Sequence, residues 1–215
     1  GRVLVMQGGT HGVEGFTGSG AMLDFLVIGG TAALPPGFAV LMIHAINPYG
    51  FAWLRRVTEE NVDLNRNFVD FALKLPENPG HDALADALVP RELAGPIFEA
   101  AEAKIAAYRA EHGEKAFQIA RGGGQYRHEK SMFFGGNGPT WARRTLEAII
   151  ADNALAQRTH SAVVDYHTGL GPFGYGEPIC GHDPGDPGLE RSLAWYGDSV
   201  TSPAGGTSSS VVKNG

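Results

Sequence analysis

The residues of this sequence best suited to chemistry are two histidines and a glutamate that are candidates for binding one metal ion. His11 and Glu14 lie three residues apart in a glycine-rich segment, and His167 follows an apolar segment far along the chain. Catalytic zinc sites typically have three His or carboxylate ligands and a fourth position open to water. Taken singly, such a His-Glu pair arises often by chance, and a histidine at a strand end more often bonds to backbone. Together the three residues form a candidate site for one Zn²⁺ ion.

A dense polar cluster, residues 61–68, is the second candidate for chemistry. A solvated loop would account for it equally well on composition alone. The functional interpretation rests on chemistry, because an arginine fork beside an amide is well suited to binding a carboxylate. The residues concerned are Asp63, Asn65 and Arg66 within the cluster, and Arg55 and Arg56 shortly before it.

The elements around these residues predict a parallel sheet. Residues Val3–Met6, Phe38–Ile46 and Ser161–Tyr166 are apolar runs typical of buried strands, and the apolar spacing from Glu14 to Ile28 predicts a helix between the first two. This βαβ unit indicates an α/β fold, in which ligands collect beyond the carboxyl ends of the strands. Both the candidate metal ligands and the polar cluster follow such strands.

The rest of the chain predicts further helices and irregular segments within one domain, residues 1–215. A glycine-rich irregular stretch is expected from Arg121 to Gly138, and a Ser/Gly tract that suggests a mobile loop or tail from Thr201 to Ser210. His44, inside an apolar run, is interpreted as a core histidine. The predicted helices are Arg91–His112, Thr140–Gln157 and Leu189–Val200.

Composition narrows the choice of partner. Of the 215 residues, 43% are hydrophobic and 19% charged, and the net charge of −6 without a dense basic run argues against nucleic acid. No apolar run reaches the roughly 20 residues needed to span a bilayer, and no signal-peptide pattern is visible. We therefore expect a small-molecule or peptide substrate, no membrane association and a cytoplasmic location. The oligomeric state stays open.

The order of the motifs resembles that of the zinc carboxypeptidase superfamily, which includes the aspartoacylase and succinylglutamate desuccinylase deacylases. The resemblance covers most of the chain and is closest to the DUF2817 branch. It implies a three-layer α/β/α fold with a central, mostly parallel mixed sheet. The motifs that carry it are the His11-x-x-Glu14 pair, Asn47-Pro-Tyr-Gly-Phe51, Arg56, Asp63-Leu-Asn-Arg-Asn-Phe68, Phe134-Gly-Gly136 and Asp165-Tyr-His-Thr-Gly169.

The resemblance also implies roles for individual residues. His11, Glu14 and His167 match the zinc ligands, and Arg56 matches the arginine that stabilises the oxyanion, with Arg55 as the competing candidate. The remaining roles are the pair that binds a substrate's terminal carboxylate, Asn65 and Arg66, and the aspartate that orients a ligand histidine, Asp63. Proximity in sequence gives Asp165 a similar role toward His167.

One expected residue has no match, namely the glutamate that acts as general base in the superfamily. Glu177 and Glu190 are the glutamates after His167, and neither has the expected setting. We therefore expect the chain to be incomplete at both ends, with that glutamate beyond Gly215. Three functions stay open: a carboxypeptidase-like hydrolase cleaving an amide or peptide bond next to a free carboxylate, an N-acyl amino acid deacylase, and a non-catalytic metal-binding or ligand-binding module.

Overall fold

The computed structural model describes residues 1–210, which form a mixed α/β protein. Its three-stranded sheet contains β1 (Arg2–Gln7), β2 (Phe38–Ile43) and β3 (His160–Asp165), in the order β2-β1-β3 with both pairs parallel. The seven helices of this part of the chain are α1 (Gly15–Val27), α2 (Pro48–Ala52), α3 (Pro79–Leu88), α4 (Gly95–His112), α5 (Glu114–Gly122), α6 (Trp141–Asp152) and α7 (Pro187–Tyr196).

The strand register brings three loops to one edge of the sheet. Gln7, the last residue of β1, lies opposite Ile43 of β2 and Asp165 of β3. Since parallel strands run in the same direction, the segments that follow all three strands leave the sheet side by side. The parallel βαβ unit predicted from the sequence is present, although β2 ends at Ile43 rather than Ile46.

His44 is a correction to the interpretation of the sequence. It lies just beyond β2 and is exposed, and its Nε2 is 2.8 Å from the Oγ of Ser19. The apolar run continues to Ile46, but the chain has already left the strand at His44. The core histidine expected here is therefore a surface histidine paired with a serine.

The chain divides into two compact units, and the sheet belongs to the first, which contains residues 1–77 and 125–168. Apolar side chains of β1 pack against residues of α6 and of the segment after it. A close glycine contact joins α1 to the loop after β1, since a Cβ on Gly18 would lie 2.8 Å from the Cα of Gly8. The buried core of this unit consists of Val3, Val5, Ile43, Ile46, Leu64, Ala142 and Leu155.

The second unit contains residues 78–124 and 169–214, of which 211–214 lie outside the described part. Helices α3, α4 and α5 pack together around Leu84, Phe117 and Ala120. The prediction of one domain over residues 1–215 stays a prediction, and its last five residues likewise lie outside the described part.

The predicted helices agree with the structure in position but not always in length. Helix α4 begins at Gly95, where Pro96 occupies the first turn and needs no N–H partner. The predicted helix Thr140–Gln157 is interrupted after α6, because Ala154 adopts a left-handed φ of 49°. Three helices, α2, α3 and α5, were not predicted. Among residues 1–210 no helix is both long and apolar enough to cross a membrane.

The tract from Thr201 to Ser210, expected to be mobile, makes specific contacts. The carboxylate of Glu177 accepts hydrogen bonds from the hydroxyls of Thr201, at 2.6 Å, and Ser208, at 3.0 Å, and from the N–H of Ser209. The hydroxyl of Ser209 also donates to this carboxylate, and that bond, followed by the one from Thr201, lowers the pKa of Glu177 to about 2. Glu177 therefore ties its own segment to this tract inside the second unit.

Candidate metal centre

The three candidate ligands lie just after the carboxyl ends of two neighbouring strands. His11 follows β1 and leads into a short 3-10 turn that ends at Glu14, just before α1. His167 is two residues past the end of β3. Because β1 and β3 are paired in parallel, residues that are distant in sequence meet at this edge.

The ligand atoms of these three residues face one another. The Nδ1 of His11 lies 3.1 Å from Glu14 Oε1, and the Nδ1 of His167 lies 3.0 Å from Glu14 Oε2. The two Nδ1 atoms are 3.1 Å apart, and one ligand atom of each residue lies within 4.8 Å of the others. Tetrahedral ligands at zinc distances are separated by about 3.3 Å, so the spacing fits a shared ion.

The outer ring nitrogens of both histidines are held by carboxylates. His11 Nε2 lies 3.1 Å from Asp63 Oδ1, and His167 Nε2 lies 2.9 Å from Asp165 Oδ2. A proton on each Nε2 satisfies these carboxylates and leaves the Nδ1 lone pairs pointing at the carboxylate of Glu14. Lone pairs that converge in this way repel one another unless a proton or a metal ion lies between them. Two imidazoles and one carboxylate are, moreover, a donor set that zinc accepts.

Without a metal ion, the electrostatics of the ligands favour a carboxylate at Glu14 and a protonated His167, whose Nδ1 proton a metal ion would displace. Burial alone would raise the pKa of Glu14, but hydrogen bonds with His11 and His167 and the N–H of Thr168 hold it well below its usual range. Burial would lower the pKa of His167, whereas its bonds to Asp165 and Glu14 raise it to about 9. Glu14 is therefore a carboxylate at neutral pH, as a metal ligand must be.

Glycines allow the backbone to approach closely around His11. A Cβ on Gly12 would overlap the backbone of Gly50, and one on Gly15 would press on the ring of Phe51. The segment after β1 is consequently packed tightly against α2, which determines the direction in which His11 and Glu14 point.

Two polar residues near the centre were missed in the sequence. Gln7 donates to Thr10 Oγ1 at 2.9 Å, and the Thr10 hydroxyl lies 2.8 Å from Asp165 Oδ1. Both residues are buried, so they hold Asp165 in place for its bond to His167. Their signal in the sequence was a polar pair at the end of a buried strand, where polar side chains need partners.

Asp63 connects His11 to an arginine. It is fully buried, and its Oδ2 accepts from Arg56 Nε at 3.0 Å while its Oδ1 accepts from the N–H of Asn65 at 3.0 Å. Burial would raise the pKa of Asp63, but the hydrogen bond with His11 and the positive charge of Arg56 lower it well below its usual range. Asp63 therefore contacts both a candidate ligand and a cation.

Arg56 and Arg55 are placed differently. An Nη of Arg56 lies 3.3 Å from Glu14 Oε1, and 38% of the Arg56 side chain is exposed. Arg55 is exposed, and its backbone carbonyl accepts from the N–H of Val13. The guanidinium that lies beside the candidate metal ligands is thus that of Arg56.

Asn65 and Arg66 lie in a 3-10 turn capped by Asp63. Only 3% of Arg66 is exposed. Burial lowers its pKa, Asp63 raises it, and the like charge of Arg56 lowers it further. The hydroxyl of Tyr126 donates to the carbonyl of Arg66 at 2.6 Å. The two arginines therefore lie close together, one accessible and one buried.

Asn67, a member of the polar cluster to which the sequence assigned no separate role, holds the glycine-rich stretch against this turn. Its amide donates to the carbonyls of Gly135 and Gly138 and accepts from the N–H of Thr140. A Cβ on Gly135 would overlap the ring of Tyr126, so this position requires glycine. These bonds hold the end of the stretch that was predicted to be irregular in place beside the two arginines.

Together these features define a mixed α/β protein with a candidate His-Glu-His metal site at the carboxyl edge of a parallel sheet. The chain belongs to the family described as "Protein of unknown function (DUF2817)", whose model matches residues 1–215. No curated protein and no solved structure matches the chain.

Proposed function

We propose that this protein is a zinc-dependent hydrolase that cleaves an amide or peptide bond next to a free carboxylate, in the manner of a metallocarboxypeptidase. The observation that carries the proposal is the convergence of His11 Nδ1, Glu14 and His167 Nδ1 within 4.8 Å, with each outer ring nitrogen held by a carboxylate. Such outer contacts are typical of metal-binding histidines.

Zinc bound by these residues would supply Lewis-acid chemistry and an activated water near neutral pH. The protein's own contribution is electrostatic. Arg56 is held by Asp63 beside Glu14, where its guanidinium can donate to an oxygen that becomes negatively charged as the bond breaks. Such preorganised donors are typically worth about 3 to 4 kcal/mol of transition-state stabilisation.

The second part of the proposal concerns the substrate. Asn65 and Arg66 would bind its free carboxylate, and the close approach of Arg56 and Arg66 supports an anionic ligand. With a divalent ion bound, the two arginines and the ion carry four positive charges. The carboxylates of Glu14, Asp63 and Asp165 carry three negative charges, so the site has a net charge of about +1. A small molecule or peptide bearing a carboxylate would complement this site.

The fold proposed for the catalytic unit is the three-layer α/β/α fold of zinc carboxypeptidases. Side chains alternate between the faces of a strand. Val3 and Val5, on one face of β1, pack in the core that includes Ala142 of α6, whereas Gly18 of α1 lies against Gly8, which has the opposite parity. This supports helices on both faces of the sheet.

The metal assignment is tested by measuring zinc content after loading the purified chain. We expect one zinc ion per wild-type chain and a large loss in His11→Ala. His112→Ala, which changes an exposed histidine at the end of α4, is the matched control and should retain zinc. Equal zinc in His11→Ala and wild type would refute the site.

Activity is tested by screening peptides and N-acyl amino acids with the zinc-loaded protein. Hydrolysis that is lost with chelator and restored by zinc would support the proposal. A preference for peptides would indicate a carboxypeptidase, and a preference for N-acyl amino acids would indicate a deacylase of the aspartoacylase type. Tight zinc binding without hydrolysis of either class would favour the non-catalytic binding module.

A further inference from the structure

An aromatic side chain lies over both arginines of the candidate site. The guanidinium carbons of Arg56 and Arg66 are 5.0 and 5.5 Å from the ring centroid of Phe133. Both distances are within the range of cation–π attraction, which extends to about 6 Å. One ring therefore contacts the accessible guanidinium and the buried one.

The backbone at Phe133 is in a conformation that bulky residues rarely adopt. Its φ is 55°, in the left-handed region, where a residue other than glycine is strained. Strain of this kind persists where surrounding contacts enforce it, and it is concentrated at functional sites. This position is occupied by phenylalanine, although glycine would relieve the strain.

The contacts that enforce this conformation come from Gln125, which is 1% exposed. Its N–H donates to the carbonyl of Phe133 at 3.1 Å, and its carbonyl accepts from the N–H of Gly135 at 2.8 Å. Its side-chain amide donates to the carbonyls of His128 and Met132. The backbone is thus tied on both sides of Phe133, which fixes the direction in which its side chain leaves the loop.

The Phe133 ring offsets the repulsion between the guanidiniums of Arg56 and Arg66. Arg56 and Arg66 carry like charges and share one buried carboxylate, Asp63, so they repel each other. The negative face of an aromatic ring attracts both cations and shields the side of each that faces the ring from water. A carboxylate that reaches the pair then meets fixed charges in a medium of lower dielectric, where its attraction to them is stronger.

We propose that Phe133 is a positioning residue for carboxylate recognition, holding the guanidiniums of Arg56 and Arg66 at the spacing that a substrate carboxylate requires. This inference rests on the proposed carboxylate-binding role of Arg66. It extends the site to a residue that acts through the arginines rather than on the reacting bond.

The test measures succinate binding to the zinc-loaded full chain by calorimetry. Phe133→Leu keeps apolar bulk but loses the π face, and we expect about tenfold weaker binding. Phe133→Tyr retains the ring and should restore binding to within about twofold of wild type. Phe71→Leu is the matched control, because the ring centroid of Phe71 lies 5.8 Å from the guanidinium carbon of a different arginine, Arg143. Loss of this ring should leave succinate binding unchanged.

Side-chain NMR gives a second readout. The Nε–H signals of Arg56 and Arg66 should lose a ring-current shift in Phe133→Leu and keep it in Phe133→Tyr. Succinate binding that is equal in wild type and Phe133→Leu would overturn the inference, as would undetectable succinate binding to wild type.

The proposed function fails by different results. Loss of zinc binding or absence of hydrolysis in wild type would count against the hydrolase, whereas succinate binding is compared between variants of equal zinc content and needs no turnover. Zinc content should be the same in wild type and all three phenylalanine variants. A loss of zinc in Phe133→Leu alone would show that the ring supports the fold of the whole site, and would also overturn the positioning role.

Discussion

Replacing Asp165 with asparagine should weaken zinc binding without unfolding the protein. Asp165 accepts from the Thr10 hydroxyl at 2.8 Å and lies 2.9 Å from His167 Nε2. The substitution preserves the shape of the side chain but removes its negative charge. That charge holds the proton of His167 on Nε2 and makes Nδ1 a stronger metal ligand. Loss of such a contact typically costs 10- to 100-fold in metal affinity.

This factor predicts a thermal shift. A 10- to 100-fold weaker affinity corresponds to about 1.4 to 2.7 kcal/mol. At a zinc concentration of about 1,000 times the wild-type Kd, zinc adds about 4.1 kcal/mol to the free energy of unfolding. The variant should therefore gain only about 1.4 to 2.7 kcal/mol. For a chain of this length, the rise in Tm on adding zinc should be roughly 3 to 10 °C smaller than in wild type.

The assay is competition for zinc with a chromophoric chelator, followed by thermal unfolding with and without zinc. The matched control is Asp186→Asn, which changes another aspartate paired with a histidine, His182, at 3.3 Å in the second unit. Asp186 also caps α7, and asparagine is an equally good N-cap, so Asp186→Asn should leave both Tm and zinc affinity close to wild type. Wild-type zinc affinity in Asp165→Asn would refute the proposed tautomer of His167.

Three further predictions concern packing, pH and charge. Gly12→Ala should destabilise the protein by about 1 to 3 kcal/mol or more in chemical denaturation, because its Cβ would overlap facing backbone. Gly20→Ala, with nothing within 4 Å, should stabilise α1 by about 0.5 to 1 kcal/mol; equal effects of the two would contradict the packing. The pKa of Asp63 is lowered on folding, so its stabilising contribution is present above about pH 4 and is lost at lower pH. Unfolding of the metal-free protein from pH 5 to 2 should therefore depend less on pH in Asp63→Asn, and an unchanged slope would argue against this role. Arg56→Ala should lower kcat by about 10²- to 10³-fold and Arg55→Ala should have little effect, whereas the reverse order in steady-state kinetics would select Arg55.

Local signals were sufficient for the elements that carry the candidate ligands. The apolar run of β1, the glycines after it and the spacing of α1 are readable because strand and helix periods differ and glycine marks close approach. Helices α3 and α5 were missed, since Pro79 and Gly80 at the start of α3 and the glycines after α5 are typical of loops. Packing of Leu84 against Phe117 and Ala120 stabilises these helices, and that contact lies outside any short sequence window.

The sequence by itself determined which residue types were available for a metal and a carboxylate, and in which order. Only the tertiary structure decided that the Nδ1 atoms face Glu14, that Arg56 rather than Arg55 lies beside it, and that Phe133 covers the arginines. The physical reason is the distance along the chain over which each property is determined. Residue types and local periods are encoded in short segments, whereas the direction of an imidazole or guanidinium depends on partners such as Asp63 and Asp165, which only the strand register and the packed loops bring into contact.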